Sequence, residues 1–140
     1  MIPLVEVGGG ERTAPQAVAD AMAFYAHIGK RPIQVRREIK GHIGSRLQAA
    51  LWREAFHLVD QGVATVEDID TAISQGPGLR WAQMGPFMNL HLSGGDGGIA
   101  HLLDHLGGPI ESWWQDLGAP SVTEAMQRQV RSEERRVGKE

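Results

Sequence analysis

The feature that most constrains the fold of this 140-residue chain is the position of its one strong extended signal. The run Ile2-Pro3-Leu4-Val5-Glu6-Val7 is rich in β-branched residues and ends on Gly8-Gly9-Gly10, which reads as a buried strand closed by a turn. A strand makes no hydrogen bonds within itself and leaves its backbone groups for neighbours to satisfy, yet nearly everything after it reads as helix. The expectation is a mainly α chain led by one strand whose partners belong to a preceding domain.

Thr13 is a good N-cap, Pro15 suits a first helical turn, and Ala17, Val18, Ala21, Met22, Tyr25 and Ile28 follow at helical spacing until Gly29. Pro32-Ile33-Gln34-Val35 reads as a short extended segment. The longest helical signal runs from about His42 to Gln61. Its apolar face, built on Ile43, Leu47, Leu51, Ala55, Leu58 and Val59, is widened by Trp52 and Phe56 until burial on more than one side is expected. Thr65, followed by Glu67 and Asp68, opens the next helix, which Gly76-Pro77-Gly78 breaks. Further helices are expected at about 86–93, 96–106, 109–117 and 121–131, with glycine and proline between them. The last nine residues, SEERRVGKE, are dense in charge and continue no apolar stripe. They resemble vector-derived ends and are expected to be solvated or frayed, with a genuine charged helix end as the alternative.

Composition narrows the function classes. Hydrophobic residues make up 41% and charged residues 22%, as in an ordinary soluble domain. No apolar run is long enough to span a bilayer, and the opening residues carry no basic signal region. The absence of cysteine excludes disulfide and thiolate chemistry and fits a cytoplasmic protein. A net charge of -3 argues against a general nucleic-acid binder, although Lys30, Arg31, Arg36, Arg37 and Lys40 form a local basic stretch.

Gly8-Gly9-Gly10 has neither the G-x-G-x-x-G spacing nor a P-loop lysine, so a plain strand-to-helix turn is the better reading. His101 and His105 are spaced to share a metal, but His91 is the only further donor nearby, and no metal site is expected. His27, His42 and His57 stand singly without a nucleophile. Glu6 is a carboxylate on an apolar strand. If buried it must be paired or protonated, and it would then suit the orientation of a histidine. If it lies at an exposed strand end it needs no partner, and the residues alone leave both readings open.

One ordered set of motifs is more specific. Pro3-Leu4-Val5-Glu6-Val7, Thr13-Ala14-Pro15, Gly29-Lys30-Arg31-Pro32, Gly41-His42-Ile43-Gly44-Ser45-Arg46-Leu47, Trp52-Arg53-Glu54-Ala55, Val63-Ala64-Thr65-Val66-Glu67-Asp68-Ile69-Asp70, Gly78-Leu79-Arg80-Trp81 and Met84-Gly85-Pro86-Phe87 occur in this order. Together they resemble the C-terminal part of NAD-dependent 3-hydroxyacyl-CoA dehydrogenases, nearest the branch of L-carnitine dehydrogenase and the lambda-crystallin-like L-gulonate dehydrogenases. The resemblance implies a helical 6-phosphogluconate dehydrogenase C-terminal-like domain at 11–131. Residues 1–10 would be the last strand of a Rossmann domain that binds NAD, and 132–140 a separate tail. Glu6 falls on the glutamate of the family's His-Glu dyad, whose histidine lies upstream. Ser45 takes the place of the Asn that contacts the reacting oxygen, and Arg46, Arg80 and Trp81 are the implied substrate contacts.

The implied substrate is a 3-hydroxy acid or acyl-CoA, and the implied partners are the Rossmann domain and a second copy of the helical domain. The chain alone is expected to bind no NAD and to be inactive. Trp52, Phe56, Trp81, Trp113 and Trp114 each suit a core, but as a set they exceed what this chain can hide. The competing reading is a non-enzymatic helical domain for dimerisation or ligand binding.

Overall fold

The computed structural model describes residues 2–137, with side chains described as far as Glu133. The chain divides into two compact units, Met1–Leu51 and Trp52–Glu140.

The first unit contains strand β1 (Leu4–Gly8), helix α1 (Pro15–His27), strand β2 (Arg31–Val35) and the opening turns of helix α2 (Ile43–Asp60). β1 and β2 pair in parallel, with Leu4 opposite Arg31 and Gly8 opposite Val35. Parallel neighbours cannot be joined by a hairpin, and α1 supplies the crossover. The expectation of one leading strand is therefore corrected: the short extended segment at Pro32–Val35 is the partner of β1, and the unit is β-α-β. Its brevity and its proline hid the pairing.

Local chemistry shapes the connection. Thr13 is not the helix cap; its hydroxyl accepts from Gly10 N–H at 3.0 Å and its own N–H donates to the Gly10 carbonyl at 3.0 Å. Ala14 holds the cap position without a side-chain bond, and Pro15 begins the helix. A Cβ on Gly9 would stand 3.1 Å from Val18 Cγ2, so the glycine lets the loop lie on α1. Val7 is the buried residue of β1.

The second unit holds the remainder of α2, then α3 (Val66–Ser74), α4 (Gly78–Trp81), α5 (Pro86–Ser93), a 3-10 turn at Gly95–Gly97, α6 (Gly98–Asp116) and α7 (Glu124–Val137). Thr65 caps α3 as expected: its side chain accepts from Asp68 N–H, and the Asp68 carboxylate accepts from Thr65 N–H. Two expected helices, 96–106 and 109–117, are one continuous α6 with Pro109 inside it. A proline removes one helical donor and crowds the preceding turn, and here Gly107 and Gly108 leave room for it. α7 runs past residue 131 through Ser132 to Val137, and residues 138–140 of the expected tail lie outside the described residues.

Val59, Leu102 and Met126 form the buried core of this unit. The broad face of α2 is not enclosed on several sides, since Val59 is its one buried residue. The core reading of the tryptophans is likewise corrected: Trp52, Trp81, Trp113 and Trp114 are all exposed, the last two to 63% and 66%. Among the described residues no helix is long and apolar enough to cross a membrane.

Candidate functional site

Glu6 is the central residue of β1 and sits opposite Ile33 of β2. Its side chain is half-buried, and both carboxylate oxygens are engaged by the start of α2. Oε2 accepts from Ile43 N–H at 2.6 Å, and Oε1 accepts from Gly44 N–H at 2.9 Å. The first N–H groups of a helix lack partners within it and point outward with the positive end of the dipole. A carboxylate from another element is well suited to meet them. Neither alternative left open by the sequence is therefore complete, because Glu6 is paired, but with backbone donors.

This pairing favours the ionised form of Glu6. The N–H of Gly44, and next that of Ile43, hold its carboxyl below the ordinary carboxylate range. Partial burial pulls the other way, and the nearby His42 adds to the lowering.

The chain turns sharply to bring α2 to this position. Gly41 and His42 are consecutive residues with left-handed φ, +86° and +53°. A non-glycine residue there is uncommon, and histidine is among the side chains that tolerate it best. His42 thereby lines a cleft of about 310 Å³ with Glu6, Glu38, Gly8, Gly9 and Gly10. Sequence reasoning missed His42 and Glu38 as neighbours of Glu6, because the turn that gathers them is invisible to periodicity. The signal that could have found them is Gly41 directly before the helix.

Ser45 and Arg46 follow in the first turn of α2, and both side chains are exposed. The Arg46 guanidinium donates to the Lys40 carbonyl at 3.3 Å, which folds it back over the turn. Glu6, Ser45 and Arg46 are thus brought together within the first unit. Arg80 and Trp81 lie on the one-turn α4 of the second unit, both exposed.

The cleft stands at the carboxyl ends of two parallel strands, where α/β sheets commonly take ligands. Its lining carries two carboxylates and no lysine or arginine. The two carboxylate side chains favour a neutral or cationic group beside them. Among the described residues no set of three or more potential ligands could hold a metal. The His101 and His105 rings are tilted by 52° with centroids 4.3 Å apart, and His105 Nδ1 is hydrogen-bonded to the His101 carbonyl oxygen at 2.9 Å.

Comparison with known proteins gives this geometry its context. Residues 1–39 match the 3-hydroxyacyl-CoA dehydrogenase NAD binding domain, and residues 41–135 match the 3-hydroxyacyl-CoA dehydrogenase C-terminal domain. β1, α1 and β2 therefore fall in the first match, and α2 begins the second. An L-carnitine dehydrogenase of Streptomyces griseus is 56% identical over 126 residues, covering 90% of this chain and 38% of the relative. One from Pseudomonas aeruginosa is 51% identical over 126 residues, covering 90% and 39%. The chain thus spans well under half the length of these relatives. The crystal structure of 5-formyl-3-hydroxy-2-methylpyridine 4-carboxylic acid 5-dehydrogenase, an NAD+-dependent dismutase, superposes with a TM-score of 0.75 at 35% identity, covering 87% of this chain and 37% of that one. On its helical architecture, its β-α-β start and these matches, the chain belongs to the 3-hydroxyacyl-CoA dehydrogenase family.

Proposed function

We propose that this chain is the substrate-facing segment of an NAD-dependent 3-hydroxy-acid dehydrogenase that oxidises L-carnitine or a close analogue. The observation that carries the reading is the Glu6 carboxylate, held ionised in a fixed orientation against the turn that bears Ser45. Its two oxygens offer about four acceptor sites, and the N–H groups of Ile43 and Gly44 use two of them. The others remain for the imidazole N–H of a histidine, which in the family precedes this segment. An ionised carboxylate there stabilises the imidazolium formed as the histidine takes the alcohol proton. Ser45 donates its hydroxyl to the reacting oxygen, with a shorter reach than the asparagine usual at that position. Arg46 offers its remaining N–H groups to a substrate carboxylate. Arg80 and Trp81 are assigned as substrate contacts by the resemblance alone.

A cleft edged by two carboxylates favours a substrate with a cationic group over one with several phosphates. That distinction, with the identity to L-carnitine dehydrogenases, supports L-carnitine over an acyl-CoA. The exposed Trp113 and Trp114 further support a homodimer through the helical segment, which sedimentation at tens of micromolar would reveal as a dimer.

The test is a chimera of the Streptomyces griseus relative whose matching 126 residues are exchanged for those of this chain. Formation of NADH is followed with L-carnitine, L-gulonate and 3-hydroxybutyryl-CoA, and turnover of L-carnitine above the other two is expected. A folded chimera that oxidises none of them overturns the reading. The chain by itself is expected to form no NADH.

A further inference from the structure

We propose that Glu6 also serves as the positioning residue for Ser45, pinning the first turn of α2 to β1. The inference rests on the reading above for Ser45's role, but its geometry is independent of it. Both oxygens of one carboxylate bond to consecutive N–H groups, those of Ile43 and Gly44, 37 and 38 residues away in sequence. Ser45 is the next residue of the same turn.

Three further observations make this clamp the controlling contact. Gly41 and His42 precede the turn with left-handed φ, so α2 follows a sharp turn and does not continue a preceding regular element. Ser45, Arg46 and Leu47 are exposed, so side-chain burial does not hold their Cα positions. Gly44 lies 3.2 Å, by its would-be Cβ, from Glu6 Oε1 and 3.5 Å from Leu4 Cδ2, so the turn rests directly on β1. With the carboxylate removed, two helix N–H groups lose their acceptors and the turn loses its fixed register against the strand.

The consequence is mechanical coupling between groups that do not touch. The carboxylate that orients the family's histidine also fixes the residue assigned to the reacting oxygen, so acid-base group and substrate contact share one reference point. A misplacement of about 1 Å is enough to matter in a site of this kind.

The first measurement uses the 140-residue chain itself. Backbone amide resonances of Ile43, Gly44 and Ser45 are followed by NMR against pH, with amide exchange measured at about pH 6. The titratable groups facing the Glu6 carboxylate are His42, just before α2, and Glu38, which lines the same cleft, so the titration is repeated in His42→Gln and Glu38→Gln to assign it. In the wild type, all three amides are expected to move together as Glu6 titrates. Glu6→Gln should abolish that movement and speed exchange at Ile43 and Gly44 by about tenfold or more, a change of about 1.4 kcal/mol. Glu11→Gln, at an exposed carboxylate outside the site, should leave both unchanged. Ser45 resonances indifferent to Glu6 in both titration and substitution overturn the proposal.

The second measurement is kinetic, in the chimera. Glu6→Asp keeps the charge but shortens the side chain by one methylene, and it shifts Arg46, the residue read as holding the substrate carboxylate, along with Ser45, so it should raise KM for the hydroxy acid as well as lower kcat. The additional loss from Ser45→Ala should shrink from about tenfold to under about twofold in that background. Full retention of the Ser45→Ala effect overturns the coupling. An inactive wild-type chimera overturns the functional reading and leaves the NMR result to decide the clamp.

Discussion

The Glu54 carboxylate accepts the backbone N–H of Gly118 at 2.9 Å, joining the middle of α2 to the segment between α6 and α7 across 64 positions of sequence. Gly118 is buried at this junction, and a Cβ added to it would run into the His57 imidazole one turn further along α2. Glycine is required here for close approach. Gly118→Ala should therefore lower stability by about 1–3 kcal/mol, the usual cost of overpacking, read from urea unfolding. An unchanged urea midpoint would show that the imidazole moves aside freely.

Much of this arrangement was legible beforehand, and the parts that were not share a cause. α2, α3 and α5 follow from apolar spacing and from Thr65, Pro86 and the glycines that bound them, because each signal is local. β2 is legible as an extended segment at Pro32–Val35, but its pairing escaped, because five residues with a proline carry little period and its partner β1 lies 27 residues away in register. The Glu6 clamp escaped for a related reason. Its donors are backbone groups, present at the start of any helix, and only the fold shows which helix arrives. The core reading of each single tryptophan misled because large apolar side chains suit a core wherever they stand, whereas the expectation that the set exceeds what the chain can hide agrees with their exposure.

α6 carries two glycines, Gly107 and Gly108, ahead of Pro109, and a Cβ at either would meet nothing within 4 Å. Glycine in a helix interior costs about 0.8–1 kcal/mol relative to alanine through its larger unfolded-state freedom. Gly107→Ala, one residue clear of the proline ring, should raise stability by somewhat less than that, since Pro109 already weakens this part of the helix. A calorimetric midpoint that stays put or falls would mean that the glycine serves a bend the alanine cannot follow.

Thr65 and Asp68 form a reciprocal cap on α3, and the Thr65 side chain and then its backbone N–H hold the Asp68 carboxyl below its ordinary range. Thr65→Ala removes the acceptor for Asp68 N–H and should cost about 1 kcal/mol, whereas Thr65→Ser should restore most of it. Equal loss in the two variants, measured by denaturant unfolding, would point away from the hydroxyl.

Under the proposed reading, Ser45 supplies one neutral donor where the family uses an amide. Removing a single donor from a developing oxyanion typically costs about 100-fold to 1,000-fold when that donor is well placed, and a shorter hydroxyl should contribute less. In the chimera, Ser45→Ala is expected to lower kcat by about tenfold with KM changed little. Ser45→Asn should retain activity or increase it. If Ser45→Ala leaves kcat intact, the reacting oxygen is held by other groups.

The pH dependence of stability isolates the charge on Glu6. Its pKa in the folded chain lies below the value in the unfolded chain, because Gly44 N–H and Ile43 N–H bond to the ionised form. A depressed pKa contributes stability that is complete above the unfolded chain's glutamate range and disappears as pH falls through the lowered folded value. Asp68 has the same sign, but it is present in both proteins of a wild-type against Glu6→Gln comparison and cancels. The wild type should therefore unfold at higher urea than Glu6→Gln at about pH 7, and the gap should close as the solution is acidified. A neutral glutamine still accepts one amide bond, so a small residual difference of either sign is expected in acid. A gap that stayed constant with pH would assign Glu6's contribution to shape and not to charge, and would remove the electrostatic reason for its place at the start of α2.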